Sequence, residues 1–155
     1  MLWDTITPKL YGYLINVLRD KNLAEDILQT TWVKAIEASS SFKERPGASF
    51  SSWLFAIARN ECRQHWRKGG REVPFDIDIH DKAETDSKGE DKIFVEQILV
   101  QLSSDDRELV RLYYIADLPF NEIAKILKIN PVTVRVRMHR ALALIKTLFR
   151  NKNYE

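Results

Sequence analysis

Cysteine and histidine are scarce in this chain of 155 residues, which contains one cysteine, Cys62, and three scattered histidines. A single cysteine excludes an internal disulfide framework. Together with His65 it offers at most two metal ligands on one helix, fewer than a zinc site needs. We therefore expect Cys62 to be a packing residue, and we expect the chain to hold no metal and no other cofactor.

The sequence motifs of common enzymes are also lacking. The chain has no glycine-rich phosphate loop, no nucleophile elbow and no metalloprotease motif. It also has no acid cluster or nucleophile arrangement that could act on a nucleic acid. An enzyme is therefore not expected.

Long apolar runs are absent, and no stretch approaches the length of a membrane span. Residues 1–14 lack the basic start, apolar segment and cleavage site of a signal peptide. The hydrophobic fraction of 45% is nevertheless sufficient for folded cores. We expect a cytoplasmic protein without membrane insertion of its own.

Charge is unevenly distributed along the chain, although the net charge is only +2. Residues 1–68 and residues 93–155 each carry ten basic and seven acidic side chains, whereas residues 69–92 carry four basic and eight acidic ones. The middle segment also contains glycines and a proline that interrupt any periodicity. This composition predicts a flexible acidic linker between two domains that move independently in the free protein.

The sequence of the N-terminal domain predicts two helices that pack as a hairpin. Thr7 and Pro8 are typical of a helix start, and Asn22 begins a capping-box pattern for the second helix. Apolar residues recur at helical spacing in that second helix and leave Asp26 and Gln29 toward solvent.

Residues 51–68 predict a third helix that begins at a serine cap and mixes aromatic residues with arginines. Arg59, Arg63 and Arg67 recur every four residues along one ridge. The simpler interpretation is that these arginines are solvated above a core of aromatic and aliphatic side chains. The alternative is a ridge that contacts nucleic-acid phosphates, and the pattern alone leaves both open.

The C-terminal domain has the spacing of a helix-turn-helix, in which residues 118–127 and a helix from Pro131 are joined by about three residues. Residues 130–153 carry six basic side chains and no acidic one. The second helix of this motif enters the major groove, although the motif also occurs as packing alone. The sequence therefore predicts an all-α fold of two small helical domains, residues 1–68 and 93–155, joined by the flexible acidic linker of residues 69–92.

Three motifs, in this order, resemble the extracytoplasmic-function group of bacterial sigma factors over nearly the full length of the chain. That family's polymerase-binding segment is similar to "AEDILQTTWVKA". Its promoter-opening helix is similar to "FSSWLFAIARNECRQHWRK", and its C-terminal helix-turn-helix to "LPFNEIAKILKINPVTVRVRMHRAL". A helix-turn-helix alone is common among regulators, whereas the three motifs in one order are specific.

The resemblance implies a sigma factor that directs core RNA polymerase to specific promoters and helps to melt them. Residues 1–68 would bind core polymerase and the minus-ten element, and residues 93–155 would bind the minus-thirty-five element. The implied partners are core RNA polymerase, promoter DNA and an anti-sigma factor.

The resemblance also suggests site residues. Asp26 and Gln29 would engage a coiled coil of the largest polymerase subunit. The minus-ten candidates are Phe42, Arg59, Asn60, Arg63, Gln64 and Arg67. The minus-thirty-five candidates, at the exposed start of the last helix, are Thr133, Arg135, Val136, Arg137, His139 and Arg140.

The sequence departs from the family pattern at three positions around the helix-turn-helix. Glycine is frequent in the family where this chain has Asp117 and Lys128, and a serine or threonine cap is frequent where it has Pro119. We expect local stability costs at these positions. Residues 45–48, "RPGA", are extra relative to the family and lie just before the third helix.

A stand-alone DNA-binding regulator is the alternative function. In that case the N-terminal domain would be a dimerisation or sensor module, and the helix-turn-helix would bind paired half-sites. A regulator binds its operator alone, whereas a sigma factor binds a promoter specifically and tightly only with core polymerase. This difference separates the two functions experimentally.

Overall fold

The computed structural model of the chain describes residues 2–69 and 96–153, and the regular elements in both ranges are helices. The N-terminal unit contains α1 (Leu2–Leu18), α2 (Lys21–Glu37), a 3-10 turn (Ser39–Ser41) and α3 (Phe50–Lys68). The C-terminal unit contains helical residues 96–101 (α4), α5 (Ser104–Val110), a π-helical turn (Arg111–Ile115), α6 (Phe120–Leu127) and α7 (Pro131–Asn153). The predicted all-α class with two helical domains is confirmed. Apart from Gly69, the predicted linker lies outside the described residues.

The first helix begins earlier than its sequence predicts. α1 starts at Leu2, so Pro8 lies inside the helix instead of in its first turn. Proline removes one intrahelical hydrogen bond at that point. Tertiary packing holds the preceding turn, because Ile6 is buried and the ring of Trp3 lies 4.3 Å from that of Trp32.

Helix caps follow the sequence prediction in part. The third helix has the predicted serine cap, but the cap is Ser49 and the helix begins at Phe50. Asn130 caps α7, since its Oδ1 accepts a hydrogen bond from the Val132 N–H at 2.8 Å. Asn22 was expected to cap α2, which is wrong. Asp20 has the extended backbone that a cap requires, and its side chain accepts from the Leu23 N–H at 3.2 Å.

The core of the N-terminal unit lies where α1 and α2, packed as the predicted hairpin, meet α3. The ring of Tyr13 contacts that of Phe55 edge-on at 5.5 Å. Fully buried apolar side chains from all three helices surround this pair: Leu10, Leu14, Ala24, Leu54, Ala58 and Cys62.

The turns of the helix-turn-helix adopt strained backbone geometry. Asp117 and Lys128 both have φ near +57°, the left-handed region that glycine occupies without strain. Such a residue costs about 1 to 2 kcal/mol relative to glycine. The side chains packed between α6 and α7 hold these turns in place, and they include Ile123, Ala124, Val134, Met138 and Ala141.

The two units are packed against each other in this structure. Their buried apolar side chains form one continuous cluster. Polar contacts also cross the boundary: Arg19 pairs with Glu96 at 2.8 Å, and Arg111 Nε donates to Asn16 Oδ1 at 2.6 Å. These partners are distant in sequence, and no periodic pattern could have indicated them.

Cys62 is a packing residue, as predicted, and its buried thiol ionises much less readily than an ordinary thiol. Burial raises the pKa of its thiol to about 12, and the neighbouring carboxylates of Glu108 and Glu61 contribute to the increase. At pH 8 the thiolate fraction is therefore about a thousandfold below that of an ordinary thiol.

We expect native Cys62 to react with an aromatic disulfide reagent at least about a thousandfold more slowly than the urea-unfolded chain. A Ser40→Cys variant supplies an exposed positive control on the same molecule. The measurement is the release of the coloured thiolate. Equal reaction rates in native and unfolded chains would contradict the assigned burial.

Candidate nucleic-acid and partner interfaces

One face of α2 is exposed and has the spacing of a helix-pairing seam. Asp26 and Gln29 lie on it, as predicted, and Val33 and Ile36 continue it while being 53% and 67% exposed. The four positions follow one another at intervals of three, four and three residues, the repeat with which one helix packs along another. We call these four residues the α2 face. Val33 and Ile36 were not predicted to belong to this face, although their heptad spacing relative to Asp26 and Gln29 is visible in the sequence.

The aromatic side chains that precede and begin α3 form one group. The half-buried ring of Phe42 lies 4.9 Å from that of Trp53 and 5.6 Å from that of Phe50. A cavity of about 250 Å³ opens beside Phe42 and Trp53. Flat ring faces beside an open cavity can stack on a planar group such as a nucleobase.

Loop 38–49, which connects α2 to α3, is held in place by α6 of the C-terminal unit. Lys125 Nζ donates a hydrogen bond to the Pro46 carbonyl at 3.0 Å, and the Ser49 N–H donates to Glu122 Oε1 at 3.2 Å. Gly47 has φ of +79°, and a Cβ there would lie 2.6 Å from Lys125 Nζ. The extra residues 45–48 thus form the turn on which α6 rests.

The predicted basic ridge of α3 is divided between two environments. Arg63 and Arg67 are exposed, as is Asn60, while Gln64 is half-buried. Partial burial lowers the pKa of Arg63, and the neighbouring positive charges of Arg59 and Arg67 lower it further. This part of α3 therefore presents concentrated positive charge to solvent.

Arg59 points instead toward the C-terminal unit. Its Nε lies 3.5 Å from Glu108 Oε1, and its side chain is only 15% exposed. The same carboxylate accepts a hydrogen bond from Tyr13 Oη at 2.5 Å and pairs with Arg111 at 3.5 Å. We call Tyr13, Arg59, Glu108 and Arg111 the interunit cluster.

Burial sets the protonation behaviour of the interunit cluster. It raises the pKa of the Glu108 carboxyl above its ordinary value, although Arg111, Tyr13 and Arg59 act in the opposite direction. It also raises the pKa of Tyr13 well above the usual value for a phenol. Tyr13 therefore stays neutral and remains a donor to Glu108.

The start of α7 presents most of the predicted base-contacting residues to solvent. Arg135, Val136, His139 and Arg140 are all exposed, and they lie opposite the buried stripe that includes Val134 and Met138. The stripe is where the periodicity predicted it. Four exposed side chains on the first turns of such a helix can reach base edges in a major groove.

Two other predicted residues of α7 are less accessible. Thr133 and Arg137 are both half-buried. Arg137 lines a cavity of about 270 Å³ between the units, together with Arg59, Asp105 and Glu108. In this arrangement Arg137 faces the interunit boundary and is separated from the exposed group.

Within residues 2–69 and 96–153, no helix is long and apolar enough to cross a bilayer. No three ligand side chains in the same ranges are grouped closely enough to hold a metal ion.

Comparison with known proteins connects both units to one family. Residues 2–72 match the model for Sigma-70 region 2, and residues 95–145 match that for Sigma-70 region 4. RNA polymerase sigma factor CarQ of Myxococcus xanthus is 31% identical over 147 residues, which cover 91% of this chain and 83% of that protein. ECF RNA polymerase sigma factor SigM of Bacillus subtilis is 27% identical over 146 residues, with 90% and 88% covered.

A solved structure resembles the whole chain, including both units. It is the sigma factor RpoE from Bartonella quintana, determined in complex with the anti-sigma factor NepR. The TM-score is 0.70 at 28% identity, and the match covers 96% of this chain and 94% of that one.

Proposed function

This chain belongs to the extracytoplasmic-function group of the sigma-70 RNA polymerase sigma factors, and on that basis we propose which of its surfaces bind polymerase and which bind promoter DNA. The chain directs core RNA polymerase to specific promoters and helps to open them. We propose that it has no catalytic chemistry of its own and acts in the cytoplasm. The described N-terminal unit would bind core polymerase and the minus-ten element, and the C-terminal unit the minus-thirty-five element.

We propose the α2 face as the polymerase-binding surface. The exposure of its apolar residues, Val33 and Ile36, is the main observation in support of the proposed function. Its heptad spacing fits a helical partner such as a coiled coil. Asp26 and Gln29 supply a charge and an amide that set the register, while Val33 and Ile36 supply apolar area that water contacts in the free chain.

The aromatic group and α3 are proposed as the minus-ten site. Opening DNA requires that an unstacked base be held and that the exposed strand be stabilised by stacking and phosphate contacts. Phe42 and Trp53 offer ring faces beside a cavity, Asn60 and Gln64 lie one turn apart on α3, and Arg63 and Arg67 offer charge. The half-buried Trp53 ring was not among the minus-ten residues suggested by the sequence.

We expect Asn60→Ala or Gln64→Ala to slow open-complex formation on a duplex promoter by about tenfold. Binding to a pre-opened template should change less, because the energy of unstacking has already been supplied there. His65→Ala on the same helix is the matched control, since that side chain is exposed. Fluorescence of 2-aminopurine placed in the minus-ten element measures the opening. Equal losses on both templates would remove the melting role.

The first turns of α7 are proposed as the reader of the minus-thirty-five element. Arg135 and Arg140 can each offer paired donors to guanine, and Val136 can contact a thymine methyl group. His139 shares the same exposed side. We propose that half-buried Thr133 joins this surface at its edge, and that Arg137, which borders the interunit cavity in this structure, joins it only if that side chain turns toward the DNA.

An anti-sigma factor is proposed as a third partner. The similar RpoE structure was determined with such a protein bound, and the match extends over both units of this chain. A pull-down from the source cells, with the main bound proteins identified, tests whether a regulatory partner accompanies core polymerase.

The proposed function is tested by comparing the chain alone with the chain bound to core polymerase. With core polymerase, run-off transcription should start at one position on a cognate promoter fragment. The chain alone should show no sequence-specific binding to that fragment. Specific binding by the chain alone, with no stimulation of core polymerase, would support the stand-alone regulator.

A further inference from the structure

The cavity of about 270 Å³ between the two units combines apolar and polar side chains. Its polar side chains come from both units: Arg59, Ser104, Asp105, Glu108 and Arg137. Two apolar side chains, from the end of α6 and the turn after it, complete the lining. Small-molecule sites commonly measure roughly 300 to 1,000 Å³, pair apolar walls with a few polar groups, and lie at domain interfaces. The cavity therefore suits a ligand somewhat smaller than a drug-sized molecule.

Arg137 brings an unused positive charge to this cavity. Its side chain is half-buried, yet its guanidinium makes no hydrogen bond or ion pair within residues 2–69 and 96–153. The hydroxyl of Ser104, also half-buried, makes no hydrogen bond there either. Burying a donor without an acceptor costs free energy. Both groups therefore have donors that a ligand in the cavity can use.

Positive charge outweighs negative charge around the cavity. The Glu108 carboxylate is already engaged by the other three members of the interunit cluster. Burial lowers the pKa of Arg63, and the positive charges of Arg59 and Arg67 lower it further, although Glu108 acts in the opposite direction. The remaining acid of the lining, Asp105, is exposed, so water and salt screen its charge. An anion is therefore attracted to this place between the units.

We propose that the cavity binds a small anion with a diphosphate group, which Arg137 of the C-terminal unit and Arg59 of the N-terminal unit both contact. Arginine presents paired donors that match phosphate oxygens, and the Ser104 hydroxyl adds another donor. A diphosphate carries more charge than a single phosphate and is long enough to engage two arginines. Because each unit supplies one arginine, the site is complete only when the units are packed together.

Two substitutions at the cavity should change the affinity for the anion in opposite directions. Arg137→Gln should weaken binding about tenfold or more, because hydrogen bonds between charged groups are the strong ones. Asp105→Asn removes a repulsive charge and should strengthen binding about threefold, the scale of exposed charge interactions. Arg150→Gln on α7 and Glu25→Gln on α2 are the matched controls. They make the same charge changes at exposed positions that do not line the cavity.

Isothermal titration calorimetry of the full-length chain, in buffer without phosphate or sulfate, measures these affinities with two ligands. Inorganic pyrophosphate supplies the diphosphate alone, and ADP supplies it attached to a nucleoside. Equal affinities support a site for the diphosphate itself, whereas tighter binding of ADP supports a site for a nucleotide. The ligand is not part of the proposed promoter function, and its binding is measured without polymerase or DNA.

Nuclear magnetic resonance of the arginine Nε–H groups locates the bound anion in the wild-type chain. The signals of Arg59 and Arg137 should shift as pyrophosphate is added and should saturate together, while that of Arg150 should stay in place. This measurement needs no variant, so it tests the site even if a substitution disturbs the fold. Circular dichroism shows whether each variant is folded.

Three results would overturn the proposal. The first is a wild-type chain that shows no saturable binding of either ligand. The second is an equal loss of affinity in folded Arg137→Gln and Arg150→Gln, which means that the anion contacts the exposed basic surface only. The third is a folded Asp105→Asn chain that binds no more tightly than the wild type, which places the anion outside the cavity.

Discussion

Replacing Arg135 and Arg140 together by alanine is expected to lower the affinity of the holoenzyme for its minus-thirty-five sequence by about 10²- to 10⁴-fold. Each bidentate arginine–guanine pair contributes about 1 to 3 kcal/mol of discrimination, and well-separated contacts are roughly additive. Both side chains are exposed on the free chain, so the fold should be retained. The measurement is competition between the cognate promoter and one with a scrambled minus-thirty-five element.

The matched control uses arginine and lysine farther along the same helix. Lys146 and Arg150 are also exposed, but they lie beyond the end of α7 that enters the groove. Their replacement by alanine should weaken both promoters about equally and reduce the salt dependence, if they contact phosphates. If the folded double variant of Arg135 and Arg140 kept its preference for the cognate sequence, the element would be read elsewhere.

The second large effect is expected at the α2 face. Val33→Asp with Ile36→Asp should weaken binding to core polymerase by about 100-fold, because burial of each aliphatic side chain contributes about 1.5 to 3 kcal/mol when complete. Burying a carboxylate in its place adds a desolvation cost. Asp26→Ala with Gln29→Ala should act in the same direction with a smaller effect. Titration of labelled chain with core polymerase measures all of these affinities.

The free energy of unfolding should change little in these variants, by about 0.5 kcal/mol per substitution, since the altered side chains are exposed. Gln97→Asp with Gln101→Asp introduces the same charges on the exposed side of α4 and serves as the control. A loss of helical circular dichroism would mean that the α2 face is structural. Wild-type affinity in a folded variant would place the polymerase contact on another surface.

The helices and their buried sides were predictable from sequence because the relevant interactions are local. In α7, the apolar stripe through Val134 and Met138 and the cap at Asn130 repeat at intervals of three or four residues, which any single sequence displays. Local signals failed where packing opposed them. Pro8 lies inside α1 because the contacts of Trp3 and Ile6 outweigh one missing hydrogen bond.

The candidate surfaces were predictable in part. Exposure of Asp26, Gln29, Arg135 and Arg140 follows from helical phase, and the structure agrees with it. Val33 could have been recognised from the same phase, since it falls on the face that Asp26 and Gln29 define. An apolar residue on an exposed face is informative only once the structure shows that no part of the described chain covers it.

By itself the sequence determined the helical class, the two units, the helix-turn-helix and the family, since these depend on periodicity and on motifs within short segments. Tertiary structure alone decided that Glu108 reaches Arg59 and Tyr13 and that α6 rests on the turn at Gly47. Each of those contacts joins positions far apart in the chain. Its formation depends on the relative placement of whole helices, which is set by the summed burial of many side chains and by no local pattern.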